Sequence, residues 1–458
     1  MVEEFDLLVV GGGKAGKTLA MDRARAGQRV AMVERGLIGG TCVNVACIPT
    51  KALVTSARAR RTLARGRELG LVVGDTGTDV ERLREHKAEV VDGMIAINHK
   101  QFLDSGMDLV LGQARFVAER TVEVALRDGG SRVLRGARTV INTGTRPRIP
   151  GIPGLSAAGP LTSESLLRLE RIPGRLIVIG AGPIGLEFAD MFAAFGSRVT
   201  VVARNRALLP QEDPDIAAAA AALLADNGVN VLLGRGVTRV VRDSAGAVTV
   251  SLDDGSEVSG DDVLVAAGRQ PVTEELDLER ARVALTDSGF IAVDEYLATT
   301  AEHTWAAGDV AGSPQFTHAS LDDYRILKAN LAGGTRSTKG RLIPHTTFLG
   351  VDLARVGLGE EEARRAGHDV LIARLPVAAI PRARTMRETA GLWKAVVDAD
   401  SHKILGASLL GPEAGEVITV VQTAMLAGLP CTALRDMIIT HPTMGEGLNM
   451  LFATLSAG

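Results

Sequence analysis

Two stretches of the chain repeat the same succession of apolar and turn-forming residues. The first begins with DLLVVGG at residues 6–12 and enters a glycine-rich turn, a helical pattern and a second apolar segment at residues 29–34. The second copy begins with RLIVIG at residues 175–180 and ends with an apolar segment at residues 198–202. Short apolar runs bounded by glycine are typical of buried parallel strands. Each copy therefore predicts a strand–turn–helix–strand unit.

Each turn carries the spacing Gly-x-Gly-x-x-Gly, formed by Gly11, Gly13 and Gly16 in the first copy and by Gly180, Gly182 and Gly185 in the second. The motif follows a predicted strand and opens a predicted helix, so it predicts a dinucleotide-binding loop. Its glycines allow a tight turn and close approach to a pyrophosphate, while the helix N-terminus offers free N–H groups. A glycine-rich turn of an unrelated α/β fold is the alternative.

The residue that ends each unit's second strand distinguishes the two nucleotides. Glu34 lies 23 positions after Gly11, where a carboxylate can accept hydrogen bonds from a ribose. In the second unit the same offset reaches Ala203, and Arg204 and Arg206 follow. A guanidinium group can bind a 2′-phosphate that a carboxylate would repel. The second site is therefore predicted to prefer NADPH, with NADH possible; the alternative is that both arginines are solvated loop charges.

The remaining patterns predict a third domain. Residues 149–160 are rich in proline and glycine and are typical of a crossing between domains. Beyond about residue 341, short strand and helix patterns continue without another glycine-rich nucleotide loop. We predict an α/β fold with two Rossmann-like dinucleotide-binding domains and a C-terminal α+β domain. The predicted boundaries are residues 1–150 with 270–340, residues 151–269, and residues 341–458.

Composition excludes several classes of function. The 458 residues carry a net charge of −3, which argues against nucleic acid as a partner. The longest apolar run, residues 216–225, is far shorter than the about 20 residues that a membrane span needs. The acidic N-terminus does not resemble a signal peptide. We therefore expect no membrane association and a cytoplasmic location.

The chain has three cysteines, and two of them lie close together in GGTCVNVACIPTK at residues 39–51. No second pair of cysteines or histidines at ligand spacing accompanies Cys42 and Cys47, so the pattern does not fit a zinc site. Thiols at a helix N-terminus have lowered pKa values and oxidise readily, which predicts a redox-active pair. Lys51 adds positive charge to the same segment. Cys431 has no motif around it and is predicted to be a buried small residue.

The segment HPTMGE near the C-terminus supplies a base. His441 and Glu446 are five positions apart, and a carboxylate can hold an imidazole in one tautomer. Such a histidine can move protons to and from a thiolate. A histidine in this context alone would more often be structural, but the cysteine pair favours the catalytic interpretation.

The cysteine motif, the two glycine loops and HPTMGE together resemble the class I pyridine nucleotide–disulfide oxidoreductases over essentially the whole chain. The resemblance implies FAD in the first unit, NAD(P)H in the second, and a C-terminal dimerisation domain. It also implies a homodimer in which His441 and Glu446 of one subunit complete the other subunit's active site.

The resemblance also implies roles for single residues. Cys42 resembles the thiol that attacks substrate, and Cys47 the thiol beside the flavin. Lys51 and Glu187 resemble the ion pair near the flavin ring. Further cofactor-binding positions implied for the two nucleotides are Gly40, Thr41, Thr143, Gly144, Asp309 and Gly268. Lys14 and Lys17 either serve the FAD phosphates or are solvated helix charges.

The substrate is narrowed but not identified. LFATLSAG at the C-terminus lacks the cysteine pair of mercuric reductases. GGGKAGKTLA, SLDDYRI and LPVAAIPRAR resemble the reactive-chlorine-resistance branch, whose members are associated with reducing hypothiocyanous acid and cupric ion. We therefore expect a small oxidised substrate: a disulfide, such an oxidant, or a metal ion. The alternatives that remain are dihydrolipoamide dehydrogenase, a mercuric reductase without the C-terminal pair, a flavin oxidase or quinone reductase, and a slow FAD-binding redox sensor.

Arg382 and Arg384 either face the dimer cleft or form a surface pair.

Overall fold

The strands and helices account for the apolar patterns of the sequence. The structure is a computed structural model that describes residues 1–168 and 170–457. The strands are β1 (Val2–Val10), β2 (Val30–Glu34), β3 (Asp108–Ala118), β4 (Thr121–Leu126), β5 (Ser131–Ile141), β6 (Thr145–Pro147), β7 (Arg175–Ile179), β8 (Arg198–Ala203), β9 (Val229–Leu233), β10 (Val237–Arg242), β11 (Val248–Leu252), β12 (Glu257–Gly260), β13 (Asp262–Val265), β14 (Arg269–Pro271), β15 (Thr304–Ala306), β16 (His345–Phe348), β17 (Asp352–Gly357), β18 (Val370–Pro376), β19 (Leu392–Asp398), β20 (Ile404–Gly411) and β21 (Ser456–Ala457).

The helices fill the connections between these strands. They are α1 (Lys14–Arg25), α2 (Thr41–Val45), α3 (Cys47–Ala64), α4 (Val80–Ser105), α5 (Ser163–Leu166), α6 (Pro183–Phe195), α7 (Pro214–Asp226), α8 (Thr317–Asn330), α9 (Glu360–Arg365), α10 (Pro381–Met386), α11 (Ala414–Leu426), α12 (Cys431–Asp436) and α13 (Gly447–Phe452). Short 3₁₀ turns occur at Gly66–Leu69, Leu278–Ala281, Gly308–Ala311, Val377–Ala379 and Met444–Glu446.

The chain divides into two compact units. Unit 1 consists of Met1–Ala52, Arg84–Arg148 and Arg269–Arg341, and unit 2 contains Leu53–Leu83, Ile149–Gly268 and the chain from Leu342 onwards. The boundary between Arg148 and Ile149 coincides with the start of the proline- and glycine-rich segment that is predicted to cross between domains. Leu53–Leu83, which the sequence prediction includes in the first domain, belongs to unit 2. The division into three domains stays a prediction.

Unit 1 is built on a parallel sheet in the order β3–β2–β1–β5–β15. All five residues of β2 are buried, as expected for a strand covered on both faces. On one face α1 buries Ala15, Leu19 and Ala20 against the sheet. Strand β4 pairs in antiparallel orientation with both β3 and β5. The carboxyl end of β1 therefore delivers the first glycine loop directly to α1.

Unit 2 contains a second parallel sheet, in the order β9–β8–β7–β13, which is followed by the antiparallel strands β10, β11 and β12. Helix α6 buries three aromatic rings, Phe188, Phe192 and Phe195, in the core of this region. The C-terminal part forms an antiparallel sheet in the order β16–β17–β20–β19–β18–β21. A second core gathers around the fully buried Trp393, against α11 and α13. This architecture confirms the predicted fold class.

The longest described helix, α4, has 26 residues, but charged side chains recur along it. Among the residues that the structure describes, no helix is both long and apolar enough to cross a membrane.

Candidate active site

The first glycine loop is shaped by Asn142, which the sequence analysis did not identify. Gly11 has a φ of +99°, and a Cβ there would lie 2.5 Å from the Asn142 carbonyl oxygen. A Cβ on Gly13 would lie 2.4 Å from Asn142 Oδ1. The same Oδ1 accepts a hydrogen bond from the Gly16 N–H at 2.9 Å. Asn142 therefore holds the loop in place, so that the N-terminus of α1 can offer its N–H groups to a phosphate.

Glu34 ends β2 and is almost completely buried, with 8% of its surface exposed. Its Oε2 accepts a hydrogen bond from the Gly12 N–H at 2.8 Å, and its Oε1 accepts from Gly36 and Leu37 at 2.8 and 3.0 Å. A carboxylate offers about four lone-pair positions, so these bonds leave room for a ribose hydroxyl. The carboxylate thus anchors the loop, and its contact with a ribose stays a prediction.

The other positions predicted to contact the first nucleotide also lie in unit 1. Thr143 Oγ1 donates to the Val272 carbonyl oxygen at 2.8 Å, and Gly144 has a φ of +73°. Asp309 Oδ2 accepts from Thr145 Oγ1 at 2.7 Å, and burial raises the pKa of the Asp309 carboxyl. A half-buried carboxyl in this position suits a polar ligand, because hydroxyl groups can satisfy its remaining lone pairs.

The second glycine loop has an open middle position. A Cβ on Gly180 would lie 2.4 Å from the Ala266 carbonyl oxygen, and one on Gly185 would lie 2.1 Å from the Gly180 carbonyl oxygen. A side chain at either of these two positions would therefore clash with the protein backbone. A Cβ on Gly182 meets no atom of the described residues within 4 Å. Gly182 caps the N-terminus of α6 and leaves open space at that end of the helix, while its contact with a nucleotide stays a prediction.

The end of β8 exposes the predicted 2′-phosphate residues. Ala203 is buried, whereas Arg204 and Arg206 are exposed on the following loop. Gly268, after β13, adopts a φ of +98°. The exposed guanidinium groups are accessible to a phosphate, but the contact stays a prediction.

The cysteine pair straddles the junction between two helices. Gly40 is the N-cap of α2 with a φ of +78°, and Thr41 and Cys42 are the first residues of that helix. Cys47 is the first residue of α3. Both thiols are free and half-buried. The predicted location at helix N-termini is therefore observed, and it arises because the chain breaks its helix at Ala46 between the two cysteines.

The two thiols differ strongly in acidity. The Cys42 thiol donates a hydrogen bond to the Cys47 sulfur, which lowers the pKa of Cys47 to about 6 and raises the pKa of Cys42. Thr317 Oγ1, at the start of α8, lies 3.5 Å from the Cys47 sulfur and also lowers the pKa of Cys47. The Lys51 ammonium, one turn along α3, acts in the same direction. The geometry favours a thiolate at Cys47 and a thiol at Cys42.

Thr317 could not be found from the sequence, because it lies 270 residues from Cys47 and no local motif marks it. Lys17 fits only one of its two expectations, and its contact with the FAD phosphates stays a prediction. It is not a solvated helix charge, because only 6% of its surface is exposed. Its ammonium instead donates to the Gly39 carbonyl oxygen at 2.9 Å and to Asn98 Oδ1 at 2.7 Å.

His441, Glu446 and Glu187 belong to unit 2. His441 Nδ1 lies 2.9 Å from Glu446 Oε1, and Glu446 Oε2 accepts from the Thr443 N–H at 3.0 Å. Both bonds lower the pKa of Glu446, and the hydrogen bond from the Thr443 backbone has the larger effect. Glu187 Oε1 accepts from the Phe348 N–H at 2.9 Å. The imidazole is therefore oriented by a carboxylate, as predicted from the motif, while the pairing of Lys51 with Glu187 stays a prediction.

Cys431 is buried in the C-terminal core, with 1% of its surface exposed. Within the described part of the chain, no group of three or more His, Cys, Asp or Glu side chains is arranged to hold a metal ion.

The sequence and the fold both match known proteins. Residues 5–323 match the family described as pyridine nucleotide-disulphide oxidoreductase, and residues 343–451 match its dimerisation domain. The chain is 42% identical to a probable pyridine nucleotide-disulfide oxidoreductase, RclA, of Escherichia coli strain K12, over 99% of each chain. It is 35% identical to a mercuric reductase of Bacillus cereus, over 98% of this chain and 71% of that protein.

A solved structure from Escherichia coli has the same fold. It is described as the Cu(II) complex of the HOCl-induced flavoprotein disulfide reductase RclA. The TM-score is 0.91 at 42% identity, and the match covers 98% of this chain and 99% of that one.

Proposed function

Since the chain belongs to the pyridine nucleotide-disulphide oxidoreductase family, we propose that it passes electrons from NADPH through the Cys42–Cys47 pair to a small oxidised substrate. The chain is a flavoprotein disulfide oxidoreductase, and its family depends on FAD with NAD(P)H as electron donor. The observation that carries the proposal is the unequal acidity of two thiols at adjacent helix N-termini.

The first glycine loop, Glu34, Gly40, Thr41 and Asp309 would hold FAD. FAD supplies a two-electron acceptor for the hydride of the nicotinamide and a two-electron donor for the disulfide. The chain's own contribution is to orient the phosphates on the N-terminus of α1 and to keep the cysteine pair at the junction of α2 and α3.

The two cysteines divide the work. Reduction of the Cys42–Cys47 disulfide by two electrons yields Cys47 as a thiolate, which its lowered pKa of about 6 stabilises at neutral pH. Cys42, once deprotonated, attacks the oxidised substrate, and the Cys47 thiolate then displaces the reduced product and restores the disulfide. Two electrons leave with the product and two thiol sulfurs are oxidised, so the cycle balances.

His441 would hold and return the Cys42 proton. The Glu446 carboxylate would accept a hydrogen bond from the Nδ1–H group of His441, which leaves Nε2 to exchange a proton with the reacting group. We propose that the two chains of a homodimer exchange these residues, so that His441 of one chain serves Cys42 of the other. The matched dimerisation domain supports this arrangement.

NADPH is the proposed donor because position 203 is Ala and Arg204 and Arg206 are exposed beside it. A dihydrolipoamide dehydrogenase, which uses NAD, would be expected to carry a carboxylate at that position. We propose a cytoplasmic location, since the pair has to be reduced in each cycle and a cytosolic thiol pool does not oppose that.

The substrate class is a small oxidised disulfide, a hypothiocyanous-acid-like oxidant, or a metal ion. The similar Escherichia coli enzyme is HOCl-induced and was solved with Cu(II), which supports the second and third of these. A steady-state assay with several such acceptors separates an enzyme from a slow redox sensor.

An anaerobic titration with NADPH, and separately with NADH, tests the proposal. We expect a long-wavelength band after two electrons, because a Cys47 thiolate then lies beside oxidised flavin. The band should fade as pH falls through about 6, since the thiolate is protonated below its pKa. NADPH should act at lower concentration than NADH, and Arg204→Ser with Arg206→Ser should remove that preference.

Direct bleaching of the flavin without the band would mean that the cysteines lie outside the electron path. The flavin oxidase or quinone reductase alternative would then replace the proposal.

A further inference from the structure

Lys17 is a buried cation without a buried anion. It lies in the first turn of α1 with 6% of its surface exposed. Its two hydrogen-bond acceptors, the Gly39 carbonyl oxygen and Asn98 Oδ1, are neutral. No carboxylate among the described residues forms an ion pair with it. A buried ammonium is costly unless an anion compensates it, so a nearby anionic group would stabilise the charge of Lys17.

The position of Lys17 indicates which anion that is. The ammonium is tied to the Gly39 carbonyl, and Gly39 and Gly40 lead directly into α2, which carries Cys42. The side chains that act on the Cys42 thiol are Cys47, Thr317 and Lys17, and Lys14 lies one turn before Lys17 on α1. Lys51 acts on Cys47, so Lys17 is the cation that remains for Cys42.

We propose that Lys17 is a positioning residue whose buried ammonium is the counter-ion of the Cys42 thiolate. This inference rests on the proposed role of Cys42 as the thiol that attacks substrate. The ammonium transfers no proton: the Cys42 proton leaves for His441 or for water, and Lys17 stays charged beside the sulfur.

The electrostatics of the pair agree with this geometry. The hydrogen bond to Cys47 and burial raise the pKa of Cys42, and Thr317 and Lys17 counteract that rise. Burial lowers the pKa of Lys17 to about 8, with a further lowering by Lys14, and Cys42 opposes that change. Lys17 is therefore still charged at neutral pH. Each thiol of the pair has its own lysine: Lys51 for Cys47 and Lys17 for Cys42.

The test measures the ionisation of Cys42 directly. The FAD-loaded protein is reduced with one equivalent of NADPH without oxygen, and alkylation by iodoacetamide is followed from pH 5 to 9, with Cys42 and Cys47 quantified separately by peptide mass spectrometry. The variants are Lys17→Met, Lys17→Gln, which keeps N–H donors, and Lys17→Arg, which keeps the charge. Lys100→Met is the control, because that lysine is exposed on α4, the helix that also carries Asn98, and pairs with Asp104.

We expect Lys17→Met and Lys17→Gln to slow the alkylation of Cys42 at pH 7 by about tenfold, since an adjacent opposite charge shifts a pKa by about one unit or more. Lys17→Arg should restore most of the rate, and Lys100→Met should match the parent. The alkylation of Cys47 should change much less.

Cys42 profiles that coincide in the parent, Lys17→Met and Lys17→Gln would overturn the inference. A loss of bound FAD with an unchanged Cys42 profile would also overturn it and assign Lys17 to the FAD phosphates. The proposed relay fails by a different result, namely turnover that survives Cys42→Ser, so the two failures are distinguishable.

Discussion

At the residue scale, the cysteine pair owes its asymmetry to three neighbours. The hydrogen bond from Cys42 lowers the pKa of Cys47 most, followed by the Thr317 hydroxyl and then by the charge of Lys51. Together these effects outweigh the burial of Cys47, which raises its pKa. The same hydrogen bond has the opposite effect on its donor, so Cys42 holds its proton. In a pair of this kind one sulfur is a thiolate, whereas the other stays protonated until a base removes its proton.

Replacing Cys42, the proposed attacking thiol, should separate cofactor binding from turnover. We expect Cys42→Ser to bind FAD as the parent does and to lose at least about 1000-fold in substrate reduction, since a hydroxyl is far less ionised than a thiol and a poorer nucleophile. Steady-state rates with several acceptors and the flavin content of the purified protein check this. Cys431→Ala is the matched control and should keep full turnover. Substantial activity in Cys42→Ser would rule out the dithiol mechanism.

At the element scale, Lys394 ties three segments of unit 2 together. It lies on β19 with 2% of its surface exposed. Its ammonium is 2.9 Å from Asp213 and 3.1 Å from Asp215 at the start of α7, and 2.8 Å from Glu360 on α9. Burial alone would lower the pKa of Lys394, but its hydrogen bonds to Glu360 and Asp213 raise it. The alanine-rich α7, with little side-chain bulk of its own, is held to the C-terminal sheet by this cluster.

Removing this cation should destabilise the fold. We expect Lys394→Met to lower the free energy of unfolding at pH 7 by about 3 kcal/mol, because three carboxylates then face one another around a buried site. Urea unfolding of the FAD-loaded protein measures the loss. Lys403→Met, at an exposed lysine before β20, is the control and should change stability by less than about 0.5 kcal/mol.

The deficit of Lys394→Met should shrink in acid. The pKa of Glu360 is lowered, chiefly by its hydrogen bond to Lys394, and that of Asp215 is lowered by Arg374 and Lys394 against the effect of burial. A carboxylate with a lowered pKa contributes stability above its ordinary pKa, and that stability is lost as pH falls through the lowered value. A deficit that stayed constant from pH 7 down to pH 3 would contradict this account.

At the scale of the whole molecule, the C-terminal region exposes large apolar side chains and His441, the proposed base. Leu426 is 70% and Ile438 101% exposed, and the His441 side chain is 68% exposed. Large apolar side chains exposed together with a functional histidine are typical of a surface that another chain covers. This surface lies within the match to the family's dimerisation domain.

Mixing two inactive variants tests whether the subunits share active sites. Cys42→Ser and His441→Gln homodimers should both be inactive. In a heterodimer of the two, one site combines both defects and the other combines an intact Cys42 with an intact His441, so about half of the parent activity should return. Differently tagged subunits allow the heterodimer to be purified before assay. No recovery would mean that each chain uses its own histidine.

Local sequence patterns were sufficient to predict the repeating units of this protein. Strand–turn–helix patterns and glycine spacing depend on near neighbours, so both glycine loops, the strands around them and one helix start at the cysteine pair could be predicted, whereas the separate starts of α2 at Thr41 and α3 at Cys47 could not. The spacing of His441 and Glu446 likewise predicted an observed hydrogen bond, because both belong to one short segment.

Tertiary packing determines which distant side chains complete these units. Asn142 fills the space above a glycine loop 126 residues away, and Thr317 reaches Cys47 across 270 residues. The sequence left Lys17 as either a ligand of the FAD phosphates or a solvated helix charge, because its burial depends on Asn98 and Gly39 rather than on α1. Lys394 gathers carboxylates from two helices that have no sequence motif in common. Such contacts arise when sheets and helices pack, and no local periodicity encodes which side chains then meet.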